Sequence, residues 1–336
     1  MNNSIIFEVN NKTGIVKLNR PEALNALDLE MASLFFEKLK EWDSNKNIER
    51  ILLKGQGKAF CAGGDVKSVF RSSANSQIKK KFFNKEYKLN YMISKFKKPY
   101  LSIWDGIVMG GGVGLSIYGN LRIATENTKF AMPETAIGFF PDVGASYFLS
   151  RLKKKIGVFL GLTGQVVNAN EVTRFGLATH YFDSSNLSDV IDHYIKKGSL
   201  PISENITVKK NDILDNLDFI ENVFNGTIKE IFAKLQNSNS DFAKNTLKIL
   251  KKRCPMSMLV TLELLKKARS LSLKECLEME YQLSQHIVYR DDFNNGVENV
   301  LIKKVHDIGW KPSSIDDINQ EELIFLFETH VEKLGL

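Results

Sequence analysis

The feature that most constrains the fold is an alternation of short β-prone runs with helical runs over about the first 190 residues. Each β-prone run ends at turn residues, and the chain then enters a stretch such as 27–42, where apolar residues recur at helical spacing. This alternation is typical of an α/β architecture built from crossover units. The predicted strands are residues 5–9, 14–18, 51–54, 100–104, 121–125 and 129–131.

The pattern changes at about residue 200. Residues 201–240 are polar and rich in Asn, with scattered apolar positions, and they indicate either a helix pair or a cap. The chain beyond them is helical in pattern, most clearly over 258–271, 273–288 and 321–334. We therefore predict two regions, an α/β core over 1–200 and a mostly helical C-terminal region over 201–336.

The composition excludes several classes of protein. Hydrophobic residues make up 43% of the chain and charged residues 25%, as in soluble globular proteins. The formal charge of +7 is compatible with an anionic ligand but not with a dedicated nucleic-acid-binding surface. The three cysteines are far apart and the five histidines show no metal-ligand spacing, so we expect neither disulfides nor a metal site. The N-terminus carries no export or import leader, and we expect a cytoplasmic enzyme.

Two glycine-rich segments each follow a β-prone run and precede a helical run. They are residues 58–66 (KAFCAGGDV) and 105–114 (DGIVMGGGVG). Glycines let the backbone approach a ligand closely, and the start of a helix presents unpaired N–H groups. Two such turns side by side would offer two convergent donors, the geometry of an oxyanion hole. The alternative is that each turn serves only close packing; neither matches a Walker A loop or a dinucleotide-binding fingerprint.

A third segment, residues 130–144 (FAMPETAIGFFPDVG), places two acids in apolar surroundings. Glu134 and Asp142 are 142 − 134 = 8 residues apart. Apolar surroundings disfavour the charged form of an acid, so the pKa rises toward the range useful for proton transfer. The alternative is that each acid begins a helix after a proline. The spacing leaves both interpretations open.

Together and in this order, the three segments resemble the crotonase (enoyl-CoA hydratase/isomerase) superfamily. The resemblance begins near residues 19–27 (NRPEALNAL) and continues past Thr163-Gly164 to 176–180 (GLATH). Four further motifs are similar to a branch of the superfamily that hydrolyses acyl-CoA thioesters. They are the MPETAIGFFPDVG string, residues 82–90 (FFNKEYKLN), residues 279–284 (MEYQLS), and Asp292-Phe293 with Gly296-Val297.

The resemblance implies a ββα-spiral core with a helical C-terminal region, and it implies a role for each matching residue. Gly64 and Gly111 would supply the two oxyanion-hole N–H groups, and residues near Ala62 would line the adenine pocket. Glu134 would be the nucleophile or base at the thioester carbonyl. Asp142 would hold the substrate hydroxyl or manage the water, and Glu86 would contact the substrate.

The hydratases of the superfamily carry a second catalytic Glu at the position of Gly114, and this chain has no carboxylate there. The resemblance therefore implies hydrolysis of a short β-hydroxyacyl-CoA thioester, with 3-hydroxyisobutyryl-CoA as the expected substrate. Neither a metal nor a redox cofactor is expected, and coenzyme A is part of the substrate. We expect no nucleic-acid or membrane partner, and homo-oligomerisation is left open. Two alternatives remain: an enoyl-CoA hydratase or isomerase that uses Glu134 as its single base, and a catalytically inactive scaffold, for example one associated with ribosomes.

Overall fold

The computed structural model describes residues 3–72, 76–206, 212–305, 308–329 and 331–336. Within these residues the chain forms nine strands and fifteen α-helices. The strands are β1 (Ile5–Asn10), β2 (Thr13–Leu18), β3 (Arg50–Gly55), β4 (Ala59–Cys61), β5 (Tyr100–Trp104), β6 (Ile107–Met109), β7 (Leu121–Ala124), β8 (Lys129–Ala131) and β9 (His180–Tyr181). The helices are α1 (Leu29–Ser44), α2 (Val66–Arg71), α3 (Ile78–Lys95), α4 (Gly111–Gly114), α5 (Ala145–Leu149), α6 (Ile156–Thr163), α7 (Ala169–Arg174), α8 (Leu187–Lys197), α9 (Leu217–Val223), α10 (Ile228–Gln236), α11 (Asp241–Leu250), α12 (Pro255–Lys267), α13 (Leu273–Ile287), α14 (Asp291–Gly296) and α15 (Gln320–Glu328). Among the shorter segments are a 3₁₀ turn at Glu134–Ile137 and a π-helical turn at Val297–Lys303.

The chain divides into two compact units, each made of separate stretches of sequence. The first unit lies within Met1–Asp65, Lys88–Ala131 and Val166–Lys209, and the second within Val66–Tyr87, Met132–Gln165 and Lys210–Leu336. The predicted regions 1–200 and 201–336 are a division along the chain, whereas these units alternate along it. The functional division at residue 200 stays a prediction.

The first unit contains two sheets. The larger has six strands in the order β1-β2-β3-β5-β7-β9, in which β1 and β2 are antiparallel and the other pairs are parallel. Its core is apolar and is contributed by the strands, by the loop after β9 and by α8. The core residues are Ile15, Leu52, Leu101, Ile103, Ile123, Phe182, Leu187, Val190, Tyr194 and Ile195. The predicted α/β architecture of this part of the chain is confirmed.

The smaller sheet of the first unit is parallel and has the order β4-β6-β8. Cys61 pairs with Val108, and Val108 pairs with Phe130. Because the carboxyl ends of parallel strands lie at the same edge of a sheet, the two glycine-rich turns that follow β4 and β6 are neighbours. This sheet therefore places the two turns side by side.

The second unit is helical. Within it, α12 packs on α5 and α6, and α13 packs on α5 and α15. Gly157 allows a close approach of α6 to the end of α5, since a Cβ there would lie 1.8 Å from the carbonyl oxygen of Leu149. The 3₁₀ turn at Glu134–Ile137 joins this packing through a hydrogen bond of 3.0 Å from the backbone N–H of Cys254 to the carbonyl oxygen of Thr135.

The six predicted strands are all present, with ends shifted by one residue at most. The strands β4, β6 and β9 were not predicted, because β4 and β6 lie inside the two glycine-rich segments and β9 has only two residues. Helix α1 begins at Leu29, not at residue 27, because the side chain of Asp28 caps it by accepting from the N–H of Met31 at 2.8 Å. Helix α12 begins at Pro255, which suits the first turn of a helix, and ends at Lys267.

The last predicted helix, 321–334, is wrong at its C-terminal end, because α15 ends at Glu328. Side chains of α13 accept hydrogen bonds from backbone N–H groups that would otherwise have continued helix α15. Gln282 accepts from the N–H of Val331 at 2.9 Å, and Glu278 accepts from the N–H of Leu334 at 2.8 Å. In 201–240 the helix pair is confirmed by α9 and α10, while residues 207–211 lie outside the described residues.

Candidate active site

The glycine turn after β4 is held by the N-terminal segment of the first unit. The N–H of Ala62 donates to the carbonyl oxygen of Leu24 at 3.0 Å, and Leu27 makes two backbone bonds to the turn, with Gly63 at 2.9 Å and with Asp65 at 2.8 Å. These bonds lie on both sides of Gly64 and fix the direction of its peptide. They explain why the NRPEALNAL motif accompanies the glycine turn in the sequence.

The glycine turn after β6 begins α4. Gly110, at φ 47°, precedes the helix, and α4 is buried throughout. A Cβ on Gly112 would lie 2.3 Å from the carbonyl oxygen of Cys61, so the two turns pack backbone to backbone. A Cβ on Gly63 would lie 3.9 Å from the amide nitrogen of Gly111. Among the described residues, none accepts a hydrogen bond from the N–H of Gly64 or of Gly111. The first unit therefore holds two uncommitted backbone donors on adjacent turns.

Glu134 lies in the second unit, at the start of the 3₁₀ turn that follows Pro133. It is 7% exposed, and its Oε2 has no hydrogen-bond partner among the described residues. Burial raises the pKa of Glu134 well above its usual range, and the charge of Asp142 raises this pKa further. The side chain makes no cap bond, so the helix-capping interpretation of this acid is not supported.

The backbone of this turn is fixed from the C-terminal side of the chain. Gly138 ends the turn at φ 71°, and a Cβ there would lie 2.3 Å from the carbonyl oxygen of Asp292. Gly296 approaches the turn equally closely, because a Cβ there would lie 2.3 Å from the carbonyl carbon of Ile137. The distal DF and GV motifs therefore pack directly against the segment that carries Glu134.

Asp142 is 6% exposed and accepts a hydrogen bond of 2.7 Å at Oδ2 from the hydroxyl of Tyr87. Burial raises the pKa of Asp142 to about 7, although the Tyr87 bond lowers it. An acid with this pKa can accept and release a proton near neutral pH. Asp142 does not cap α5, whose N-cap is Gly144 with no side-chain bond.

Glu86 precedes Tyr87 on α3 and is 2% exposed. Its Oε1 has no hydrogen-bond partner among the described residues. Burial raises the pKa of Glu86 well above its usual range, and the charges of Asp142 and Glu134 raise it further. Because the ionisation of one of these acids disfavours the ionisation of the others, they titrate as a group.

Glu280 on α13 is a fourth buried acid of this unit; it lies in the MEYQLS motif, and no role was predicted for it. Its carboxyl group accepts from the backbone N–H of Gly144 at 2.5 Å and from both the N–H and the hydroxyl of Ser146, at 3.0 and 2.5 Å. The turn that it holds has two successive left-handed residues, Val143 at φ 54° and Gly144 at φ 79°. Burial raises the pKa of Glu280 to about 8, while these three donors lower it. Glu280 therefore fixes the turn that follows Asp142.

The predicted site residues fall into two sets. The first unit contains Ala62, Gly64 and Gly111, and the second brings together Glu86, Glu134 and Asp142. The contributions of Tyr87 and Glu280 were not predicted from the sequence. Each residue places a polar group at an otherwise apolar position of a helix, within a motif that resembles the family. That pattern could have identified both residues. The roles implied for all these residues, including the adenine contact near Ala62, stay predictions.

Among the described residues, no group of three or more His, Cys, Asp or Glu side chains is arranged to hold a metal ion. His306 and His330 lie outside the described residues. None of the helices in the described part of the chain combines the length and the apolarity that a membrane span requires.

Comparison with known proteins gives one family. A family model described as "Enoyl-CoA hydratase/isomerase" matches residues 13–327. The chain is 41% identical to the "3-hydroxyisobutyryl-CoA hydrolase, mitochondrial" of Homo sapiens, over 98% of this chain and 89% of that protein. It is 42% identical to the protein of the same name from Xenopus laevis (92% and 84%) and 41% identical to that from Dictyostelium discoideum (94% and 89%).

Two solved structures are similar over nearly the whole chain. A carnitinyl-CoA dehydratase from Mycobacterium thermoresistibile matches with a TM-score of 0.92 at 31% identity, covering 99% of both chains. An enoyl-CoA hydratase from Rhodobacter sphaeroides 2.4.1 matches with a TM-score of 0.91 at 31% identity, covering 97% of both chains. These likenesses confirm the predicted crotonase-like fold with its helical C-terminal region.

Proposed function

Because the chain belongs to the enoyl-CoA hydratase/isomerase family, we propose that it hydrolyses the thioester of 3-hydroxyisobutyryl-CoA to 3-hydroxyisobutyrate and coenzyme A. The observation that carries this proposal is the 41% identity, over 98% of this chain, to a protein named for that reaction. The cluster of buried acids supports it. Glu134 has an oxygen with no partner among the described residues, and Asp142 has a pKa of about 7.

The proposed first step is attack by the Glu134 carboxylate on the thioester carbonyl carbon. The new C–O bond forms as the carbonyl electrons move to the oxygen, and the C–S bond then breaks with loss of the CoA thiolate. The product of this step is a mixed anhydride between Glu134 and the acyl group. Covalent catalysis of this kind divides one difficult step into two easier ones.

In the second step, the oxygen of water forms a bond to the acyl carbonyl carbon of the anhydride, and the bond between that carbon and the Glu134 oxygen breaks. We propose that Asp142 accepts the proton of that water, so that the hydroxyacid leaves and the Glu134 carboxylate is restored. The pKa of about 7 suits Asp142 to this role. Asp142 and Glu86 would also pair with the hydroxyl of the substrate. Acyl groups without that hydroxyl would then leave buried polar atoms unpaired, which lowers their reactivity.

We propose that the N–H groups of Gly64 and Gly111 stabilise the oxyanion in both steps. The adjacent turns of the first unit support this role, because a pair of fixed backbone donors is what an oxyanion requires. Loss of one such donor typically costs about 3 to 4 kcal/mol of transition-state stabilisation.

The test is release of free CoA from 3-hydroxyisobutyryl-CoA by the purified chain, followed with a thiol-reactive dye. Rapid release by the wild type and its loss in Glu134→Ala are expected, with no cofactor added and with a chelator present. Glu171→Gln is the matched control, because Glu171 is also buried but belongs to the capping box of α7. No release by the wild type, or equal release by Glu134→Ala, would refute the proposal.

An enoyl-CoA hydratase activity is the second candidate, favoured by the similarity to a carnitinyl-CoA dehydratase and an enoyl-CoA hydratase of known structure. Against it, Gly114 stands where hydratases of the superfamily carry their second acid. Loss of the enoyl absorbance of an enoyl-CoA without thiol release would establish this activity. The inactive-scaffold alternative requires that the chain neither binds CoA nor hydrolyses its esters, and that it sediments with ribosomes.

We also propose that the reaction serves valine breakdown. The relatives from Homo sapiens and Xenopus laevis are named as mitochondrial proteins. The cytoplasmic location of this chain remains a prediction, and fractionation of cells that express it, with a marker for each compartment, is the check.

A further inference from the structure

We propose that Tyr87 is a positioning residue that holds Asp142 in one orientation and keeps its Oδ2 an acceptor of a hydrogen bond during hydrolysis. This inference rests on the hydrolase function proposed above. It adds a residue and a role to that site. Tyr87 acts through Asp142 and is not assigned a contact with the substrate.

The hydroxyl of Tyr87 is held in contact with Asp142 by the packing around its ring. The residue is completely buried, and its Oη lies 2.7 Å from Oδ2 of Asp142. Its ring packs edge-on against Phe83 at 5.9 Å and against Tyr281 at 6.3 Å between ring centroids. The ring therefore has little freedom to turn its hydroxyl elsewhere.

The backbone of Asp142 is held independently of its side chain. Glu280 accepts from the N–H groups of Gly144 and Ser146, and so fixes the left-handed turn immediately after Asp142. With the backbone held by Glu280, rotation about the side-chain bonds is the freedom left to Asp142. The Tyr87 bond removes that freedom. A hydrogen bond to a charged group is among the stronger ones in proteins.

The hydroxyl of Tyr87 remains a donor at every pH of interest. Burial raises the pKa of Tyr87 well above its usual range, and the charge of Asp142 raises it further. A protonated phenol beside the carboxylate favours the ionised form of Asp142. Three neighbouring carboxyl groups disfavour the ionisation of Asp142, because their own negative charges repel it. They belong to Glu86 on α3, Glu134 on the 3₁₀ turn and Glu280 on α13.

The four acids therefore differ in how their charged forms are supported. Asp142 has a phenol donor and Glu280 has three donors, whereas Glu134 and Glu86 each keep an oxygen without a partner among the described residues. Loss of the Tyr87 hydroxyl removes the donor that favours charge on Asp142. The proton that must leave before Asp142 can act as a base would then be lost at a higher pH.

The test is the pH profile of kcat for Tyr87→Phe, compared with the wild type and with Tyr281→Phe. Tyr281→Phe is the matched control, since it removes a hydroxyl from the same aromatic cluster but not the one bonded to Asp142. We expect the acid limb of Tyr87→Phe to move up by about one pH unit. We also expect kcat to fall about 10-fold at pH 6 and to recover most of this loss at pH 9. A purely structural role would lower the rate by the same factor at every pH.

A double-mutant cycle checks that Tyr87 acts through Asp142. In an Asp142→Asn background, which retains only a small residual rate, Tyr87→Phe is expected to change the residual rate less than 2-fold. Replacement of Tyr87 by 3-fluorotyrosine keeps the ring and strengthens the donor, so it should move the acid limb down. This variant also serves if Tyr87→Phe does not fold.

These experiments distinguish a failure of the proposed hydrolase function from a failure of the role proposed for Tyr87. If the wild type releases no CoA, the proposed function fails and this inference fails with it. If the wild type and Tyr87→Phe both release CoA with the same acid limb, or if their rates differ by a constant factor at every pH, only the role of Tyr87 is overturned. An equal shift in Tyr281→Phe overturns it as well.

Discussion

Glu280 accepts two hydrogen bonds from Ser146, one from its backbone N–H at 3.0 Å and one from its hydroxyl at 2.5 Å, across 134 residues of sequence. The other carboxylate oxygen accepts from Gly144. One buried carboxyl group thus takes up the donors of the turn between Asp142 and α5. The fixed backbone at Asp142 is a consequence of a side chain on a distant helix.

Glu280→Gln should destabilise the second unit. An amide offers one oxygen where the carboxyl group offers two, so the N–H of either Gly144 or Ser146 loses its acceptor. An unpaired buried donor costs about 1 to 3 kcal/mol. Urea unfolding at pH 9, where the carboxyl group of Glu280 is ionised, measures the change. Ser150→Ala is the control, because it removes a hydroxyl that donates to the carbonyl oxygen of Tyr147 and accepts from the exposed side chain of Arg151, away from the turn. It should change the free energy of unfolding by less than about 1 kcal/mol. Equal stability of Glu280→Gln and the wild type would contradict this account of the turn.

Asp142→Asn should become more stable relative to the wild type as the pH rises from about 4 to about 7. Burial raises the pKa of Asp142 to about 7, so between the unfolded and the folded pKa the folded state binds more protons than the unfolded state. The free energy of unfolding of the wild type therefore falls over this range because of Asp142, and levels off above pH 7. Asn keeps an oxygen for the Tyr87 hydroxyl but does not titrate. Denaturant unfolding at pH 4, 5, 6, 7 and 8 gives the difference, and a difference that shrinks with rising pH would be evidence against the raised pKa.

Glu134→Gln should separate activity from stability. Removal of the nucleophile is expected to lower kcat for CoA release by about 1000-fold or more. The same change removes a buried acid whose Oε2 has no partner among the described residues, so the free energy of unfolding at pH 8 should stay equal or rise. Enzyme assay and urea unfolding on the same preparation provide both values. A parallel loss of activity and stability would mean that Glu134 is a structural residue.

Gly112→Ala should disrupt the adjacent glycine turns. A Cβ at this position would lie 2.3 Å from the carbonyl oxygen of Cys61 and 2.8 Å from its Cβ. Relief of this overlap requires a shift of the backbone, which costs free energy. We expect a loss of about 1 to 3 kcal/mol or more in the free energy of unfolding, together with loss of CoA release. Gly309→Ala is the control, because a Cβ there meets nothing within 4 Å. Thermal melting and the thiol assay measure the two effects; a wild-type rate in Gly112→Ala would show that close packing of the turns is not required.

Much of the first unit could be predicted from the sequence, because its signals are local. The strands of the larger sheet are runs of β-branched and apolar residues bounded by turns, and they lie where the pattern predicts. The helix 321–334 failed for the opposite reason. Its apolar periodicity continues beyond Glu328, but Gln282 and Glu278 capture the backbone donors of that stretch from another helix.

The sequence by itself determined the α/β order of the first unit, the two glycine turns, and the choice of Glu134 and Asp142 as a pair of acids in apolar surroundings. These follow from residue types and spacings within a few tens of residues. Only the tertiary structure decided that Tyr87 bonds to Asp142 and that Glu280 holds Gly144 and Ser146. The physical reason is that a pKa and an orientation depend on burial and on donors that packing brings from distant parts of the chain, and neither is encoded in local periodicity.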